Sequence, residues 1–205
     1  MTDVQMPSPV LTSDDPLLRH IARLAGATWT PAGELENCNG LLVEDLKSAC
    51  YQARDELAGL TAIQTGDIIH ADRDGWSQDT LVADQTDQVL DLDPDRSQPV
   101  FGVFAEAGAT LDAWDTDVRY IYGYSYDMHL AAAIFCDMWA SALKTQFDFN
   151  DGTGNYARSQ KYQQVRDTER SQRSKARVQV VVLERADTSR APGNIHEWFQ
   201  RLGNG

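Results

Sequence analysis

No stretch of this 205-residue sequence approaches 18 consecutive apolar residues, so none is long and apolar enough to cross a membrane as a helix. The first ten residues, MTDVQMPSPV, lack the basic start and apolar centre of a secretory signal, and none is expected. Cysteine is scarce. Cys38, Cys50 and Cys136 make an odd number with no Cys-x-x-Cys spacing, which argues against a disulfide scaffold and predicts reduced, buried thiols. Positive charge is short as well: 18 Lys and Arg stand against 31 Asp and Glu, a formal charge of −13. Phosphate contacts need Lys and Arg, so this balance argues against an ordinary nucleic-acid-binding protein. Also missing are a Gly-x-Ser-x-Gly elbow, a P-loop, a His-Glu-x-x-His helix and a Gly-x-Gly-x-x-Gly turn. The four histidines, His20, His70, His129 and His196, fall in separate elements. No catalytic residue, metal site or cofactor is assigned.

What the sequence does contain is an organising stretch from 120 to 177. YSYDMHLAAAIFCDMWASALKTQFDF places Met128, Ala131, Phe135, Met138, Trp139, Ala142 and Leu143 at three- and four-residue steps, the signature of a buried helix face. Met128, Phe135 and Trp139 are its core residues, with Ser125 as the expected N-cap and Asp127 in the first turn. A turn, FNDGTGN, follows. YARSQKYQQVRDTERSQRSKAR then returns as a polar, basic helix. The charge is correspondingly uneven. Residues 154–190 hold nine basic and four acidic residues, whereas residues 1–153 hold eight basic and 26 acidic. An acidic body carrying one basic segment suggests self-complementary assembly or, equally, a salt-tolerant surface with a solvated basic helix.

The remaining chain reads in order as follows. Residues 1–12 form an extended arm with Pro7 and Pro9. Asp14-Asp15-Pro16 opens a helix with Leu17, Leu18, Ile21 and Leu24 on one face and Gly26 as its stop. A second helix is expected over 41–58, with Leu42, Leu46, Ala49, Ala53 and Leu57 inward and Gly59 ending it. Between 61 and 117 short apolar runs are separated by Asp, Gly, Pro and Ser, which predicts short strands, with Asp74-Gly75 as a hairpin turn. Thirteen acidic residues lie between 66 and 117, against Arg73 and Arg96. D-R-D-G at 72–75 and D-F-N-D-G at 148–152 miss the calcium-loop pattern and read as turns. Asp91 and Asp93 read as solvated carboxylates, because raising a carboxyl pKa to a catalytic value takes burial or a close like charge. Trp114, Tyr120, Tyr122, Tyr124 and Tyr126, at two-residue spacing, share one face of an extended lead-in and wall the core, with a binding platform as the second reading. VQVVVL at 178–183 is a short strand, 186–194 a linker with Pro192 and Gly193, and 195–202 an amphipathic helix. The expected fold is α+β: mainly a four-helix bundle with a small β insertion after the second helix, and extended termini. It divides into a single core domain over 1–190 and a C-terminal docking segment over 191–205.

The sequence DMHLAAAIFCDMWASALKTQFDFNDGTGNYARSQKYQQVRD resembles the adaptor, or head-to-tail connector, proteins of long-tailed double-stranded DNA viruses. In that family an alanine-rich helix with a Trp-Ala pair leads into a Phe-Asp turn, an Arg-Ser-Gln helix start, a basic helix and a valine-rich segment. The matching residues are Ala131, Ala132 and Ala133, Trp139-Ala140, Phe147, Asp148 and Phe149, Asp151-Gly152, and Arg158-Ser159-Gln160. The resemblance implies a structural virion protein and not an enzyme. It implies a twelve-membered ring of identical subunits under the portal protein, which extends the channel for DNA and docks the next neck component. Head-to-tail rings need two different complementary faces per subunit. The expected subunit interface is therefore Arg158, Arg166, Arg170, Arg173 and Arg177, set against an acidic neighbour. Ile195, Trp198, Phe199 and Leu202, at i, i+3, i+4 and i+7, are the expected docking residues for a neighbouring ring. The alternative is a small DNA-binding or regulatory protein that uses the basic helix over 158–177.

Overall fold

The computed structural model describes residues 6–7, 10–109, 112, 115–147 and 155–177, the side chains of 145–147 and 155–158 excepted. The elements run α1 (Pro16–Leu24), β1 (Thr28–Trp29), β2 (Leu35–Glu36), α2 (Val43–Gln52), β3 (Arg54–Thr65), β4 (Ile68–Ala71) and β5 (Leu81–Ala83). A 3-10 turn (Pro99–Phe101) then precedes β6 (Val103–Ala105), β7 (Thr116–Tyr126), α3 (Met128–Phe147) and α4 (Asn155–Lys175). β1 and β2 form a small antiparallel ribbon; the other strands make one antiparallel sheet in the order β5-β7-β3-β4-β6.

This corrects the expectation of a mainly helical bundle. The sheet is half of the architecture, and it is built on two long strands, β3 and β7, of 12 and 11 residues. The second helix was expected to continue to 58, on the spacing of Leu46, Ala49, Ala53 and Leu57. It ends at Gln52, because Arg54 onward pairs with β7 from Arg54↔Tyr126 to Thr65↔Thr116. A long cross-strand partner outweighs the modest helix preference of RDELAGL. The strands accordingly reach from 54 to 126, beyond the 61–117 insertion read from the sequence.

Local chemistry explains the helices. Asp15 caps α1 by accepting from Leu17 N at 2.9 Å, Pro16 occupies the first turn, and Leu17, Leu18 and Ile21 are fully buried. For α3 the cap is Asp127, not Ser125. Its Oδ1 accepts from Leu130 N at 2.9 Å, while Ser125 lies within β7 and donates its hydroxyl to Asp74 O at 3.0 Å. Alanines 131, 132, 133 and 140 are buried, which lets the neighbouring elements close on α3, and Phe135 and Trp139 fill the space between them.

Two cores result. Met128, Phe135, Cys136 and Trp139 of α3 pack with Leu17, Leu18 and Ile21 of α1, Leu46 and Cys50 of α2, and Tyr124 and Tyr126 of β7. The curl of the sheet encloses the second: Ile69, Trp76, Val82, Phe104 and Ile121. The two-residue strand period sends Tyr124 and Tyr126 to the helices and Ile121 to the sheet core. Of the expected tyrosine face, Tyr124 and Tyr126 wall the helical core, whereas Tyr120 and Tyr122 are half-buried further along the strand. Cys38, Cys50 and Cys136 are all free and buried; burial pushes the Cys136 thiol up to about 12.

Candidate assembly surfaces

α4 packs along α3 on an inward face that is largely polar. Val165, Glu169 and Gln172 are buried there, with Tyr162 half-buried. Such a face must satisfy its own polar groups. Gln172 Nε2 donates to Leu24 O, the last carbonyl of α1, at 2.9 Å, and its Oε1 lies 2.7 Å from His129 Nδ1. Glu169 accepts from Arg173 Nε at 2.8 Å and lies 3.5 Å from Arg166 Nη1. Lys161 sits over the Trp139 ring, 4.5 Å from its centroid. The helix is held by polar bonds where an apolar stripe was missing.

The predicted arginine stripe divides. Arg166 turns to its own body, donating to Asp137 Oδ1 at 2.6 Å and to Tyr162 Oη at 3.3 Å; these bonds raise its pKa, the tyrosine bond first. Arg177 is also spent within the chain. Its Nη2 donates to Asp74 O and Oδ1, both at 2.6 Å, and its Nη1 to Ser125 Oγ at 2.9 Å. Its backbone N donates to Asp127 Oδ2 at 2.5 Å, and its guanidinium lies 3.9 Å from Asp55. The side chains of Arg170 and Arg173 remain outward, 75% and 55% exposed, with Lys175 exposed beside them. The side chain of Arg158, and Ile195, Trp198, Phe199 and Leu202, lie outside the described residues, as do Trp114, the 148–152 turn and the 178–183 strand.

The carboxylates of the sheet and its loops are locally ordered. Asp84 Oδ1 accepts from the Thr86 hydroxyl and from the backbone N of Thr86 and Gln88, and these bonds, the hydroxyl first, hold its pKa down. Asp93 Oδ1 accepts from Asp95 N at 3.0 Å, so this carboxylate closes a turn. Asp67 pairs with Arg96, and Asp117 with Arg119. Asp74 and Gly75 do not make a hairpin turn: the chain crosses the end of the sheet here, with Tyr126 N donating to Gly75 O at 2.7 Å. Among the described residues, no group of three His, Cys, Asp or Glu could hold a metal ion.

Between α1 and the sheet lies an apolar groove of about 560 Å³, walled by Pro16, Trp76, Leu92, Pro99, Phe101 and Phe104. Its polar lining is Gln78, Thr80, Ser97 and Gln98, with no ionisable side chain. His20 meets its rim edge-on at Phe101, ring centroids 5.4 Å apart, and burial lowers the histidine's pKa. The Arg177 clasp and the Gln172 bridge were missed in the sequence, and no spacing signals partners 103 and 148 residues away. No family model, curated protein or solved structure matches the chain.

Proposed function

We propose that the chain is a structural virion protein, a head-to-tail adaptor of a long-tailed double-stranded DNA virus. In this reading its copies form a ring at the virion neck, under the portal, where the ring extends the DNA channel and receives the next neck component. The observation that carries the reading is the hairpin of α3 and α4. An alanine-rich helix is buried among α1, α2 and β7, and a basic helix lies against it with Arg170 and Arg173 outward. The sheet and its loops carry the carboxylates. One protomer thus has a cationic face and an anionic face of different composition, the requirement of a head-to-tail contact. An acidic channel wall would let DNA pass without holding its phosphates.

The DNA-binding alternative draws less support. A helix that grips phosphate needs free cations, and Arg166 and Arg177 are engaged by Asp137 and Asp74 of the same chain. Two measurements test the proposal. Negative-stain imaging of the purified protein, alone and with a portal ring, should show rings. Duplex DNA should run unretarded at moderate salt. Monomers under both imaging conditions, together with tight DNA retardation, would favour the rival.

A further inference from the structure

One face of β7 is covered by helices at one end and bare at the other. The even-numbered residues of the strand share this face. Tyr124 and Tyr126 lie in the core formed with α1, α2 and α3. Thr116, Val118, Tyr120 and Tyr122 continue the same face but belong to neither core, and are half-buried or exposed. β3 sets Thr61 opposite Tyr120 and Ile63 opposite Val118, and β5 sets Leu81 beside Tyr122. Ile63 and Val118 are 56% and 36% exposed, unusual for apolar residues side by side on a sheet. The bare stretch, 116–122, is about 23 Å long at about 3.3 Å per residue, room for about four turns of helix.

Carboxylates flank this surface. Burial and the neighbouring Asp87 carboxylate hold the Tyr122 hydroxyl above its usual pKa. Glu56, exposed, pairs across from Tyr124 where the helices end, and Asp115, also exposed, immediately precedes β7. Of the two arginines in these strands, Arg119 is buried against Asp117, and Arg54 lies over the Tyr51 and Tyr124 rings. An apolar, aromatic surface flanked by acids fits cationic heads on long apolar stems. The stems cover isoleucine and valine, the guanidinium stacks on tyrosine, and the charge reaches the carboxylates. The outward side of α4 is built this way, with Arg170, Arg173 and Lys175 exposed together.

We propose that the bare end of the tyrosine face, formed by Tyr120, Tyr122, Val118, Ile63 and Thr61, receives the Arg170, Arg173 and Lys175 side of α4 from a second copy of the chain. The proposal rests on the adaptor reading and names the two surfaces of its subunit contact. Helices already cover Tyr124 and Tyr126, so a neighbour's helix extends the same layer along the sheet. The two surfaces differ, so each added copy leaves one of each free, and the contact propagates head to tail. A two-fold contact of the face with itself would instead set acid against acid.

Sedimentation velocity of full-length chains tests this. One variant makes the helix acidic, Arg170→Glu, Arg173→Glu; the other makes the face basic, Thr61→Arg, Ile63→Arg, at two exposed positions. Each alone sets like charges across the contact and should sediment as a monomer. Mixed in equal amounts they should form rings again, because each copy then meets opposite charge on both neighbours. Rings from the basic-face variant alone, or monomers in the mixture, overturn the pairing. A second measurement leaves both charge sets in place: p-benzoylphenylalanine substituted for Tyr120 should, on irradiation of the ring, link to the neighbour's α4 within 163–175. Links confined to other peptides overturn the contact and leave the adaptor reading standing, whereas a parent chain that never associates overturns both.

Discussion

Arg177 and Asp74, 103 residues apart, are joined by two contacts of 2.6 Å, one to the backbone carbonyl and one to the carboxylate. The pair pins the end of α4 to the point where the chain crosses the sheet, with Ser125 and Asp55 alongside. Arg177 is therefore a stability residue, although its spacing suggested an interface. Hydrogen bonds to charged groups contribute about 1.5–3 kcal/mol, less where solvent screens them, and the Asp74 side chain is 51% exposed. Arg177→Ala should cost roughly 1–2 kcal/mol in urea unfolding. Arg170→Ala, whose pair with Asp167 is exposed on both sides, should fall within about 0.5 kcal/mol of the parent. Equal effects at the two sites would deny the clasp its role.

Gly75 supports the same crossing by another means. Its φ is +74°, a conformation that L side chains resist, and a Cβ there would overlap the carbonyl oxygen of Tyr126. Gly108 has a similar φ of +69° but open space around it. Gly108→Ala should therefore cost only the backbone term, about 1 kcal/mol, and Gly75→Ala at least about 2 kcal/mol more. Thermal or urea melts of the two variants separate close approach from backbone strain. Equal losses would mean that the Tyr126 carbonyl gives way.

These two sites show what could be read from the sequence. Asp15-Pro16 and the spacing of Leu17, Leu18 and Ile21 gave α1 away, because capping and periodicity are local. Glu169 and Arg173, four residues apart, were also legible as a pair. The end of α2 was not, since 53–58 keeps a helical apolar spacing and only the partner strand at 123–126 settles its conformation. Asp74-Gly75 looked like a hairpin turn for the same reason. Its glycine answers to a carbonyl 51 residues later, and no short-range pattern carries that information. The partners of Arg166 and Arg177 were hidden likewise, as Asp137 and Asp74 lie too far along the chain for helix spacing to reveal them.

Asp15 makes a pH prediction. Burial raises its carboxyl pKa, although the bond from Leu17 N opposes the shift. A raised acid binds more protons in the folded state between its unfolded pKa, about 3.9, and its folded pKa. Stability contributed at this site therefore falls as pH rises through that window and is level above it. Asp15→Asn retains a good capping oxygen and removes the titration. Measured from pH 4 to pH 8, Asp15→Asn should gain stability relative to the parent as pH rises, then hold a constant difference. A difference that never changes with pH would show that the carboxyl titrates normally.

The outward pair, Arg170 and Arg173, should govern assembly and not folding. Reversing both leaves the Arg166 and Arg177 bonds in place. The change removes the Arg173–Glu169 bond and sets a like charge four residues from a buried carboxylate that Arg166 still holds, at a cost of about 1–2 kcal/mol. The Arg170→Glu, Arg173→Glu chain should show parental circular dichroism, melt only slightly below the parent, and sediment as a monomer where the parent forms rings. Rings from the reversed chain would remove these residues from any subunit contact.

Docking to the neighbouring ring should depend on the C-terminal segment. Ile195, Trp198, Phe199 and Leu202 have the i, i+3, i+4, i+7 spacing of a helix laid in an apolar groove, and they follow a Pro-Gly linker. A tryptophan anchor of this kind commonly contributes about 2 kcal/mol or more, and a ring multiplies any loss through avidity. Among the described residues the two cores draw on α1, α2, α3, α4 and the sheet, and a chain lacking 192–205 should fold and keep the parental melting temperature. It should fail to co-sediment with portal rings, and Trp198→Ala alone should weaken co-sedimentation at least tenfold. Unfolding of the shortened chain would place the segment in the core, and undiminished co-sedimentation would place the anchor elsewhere on the subunit.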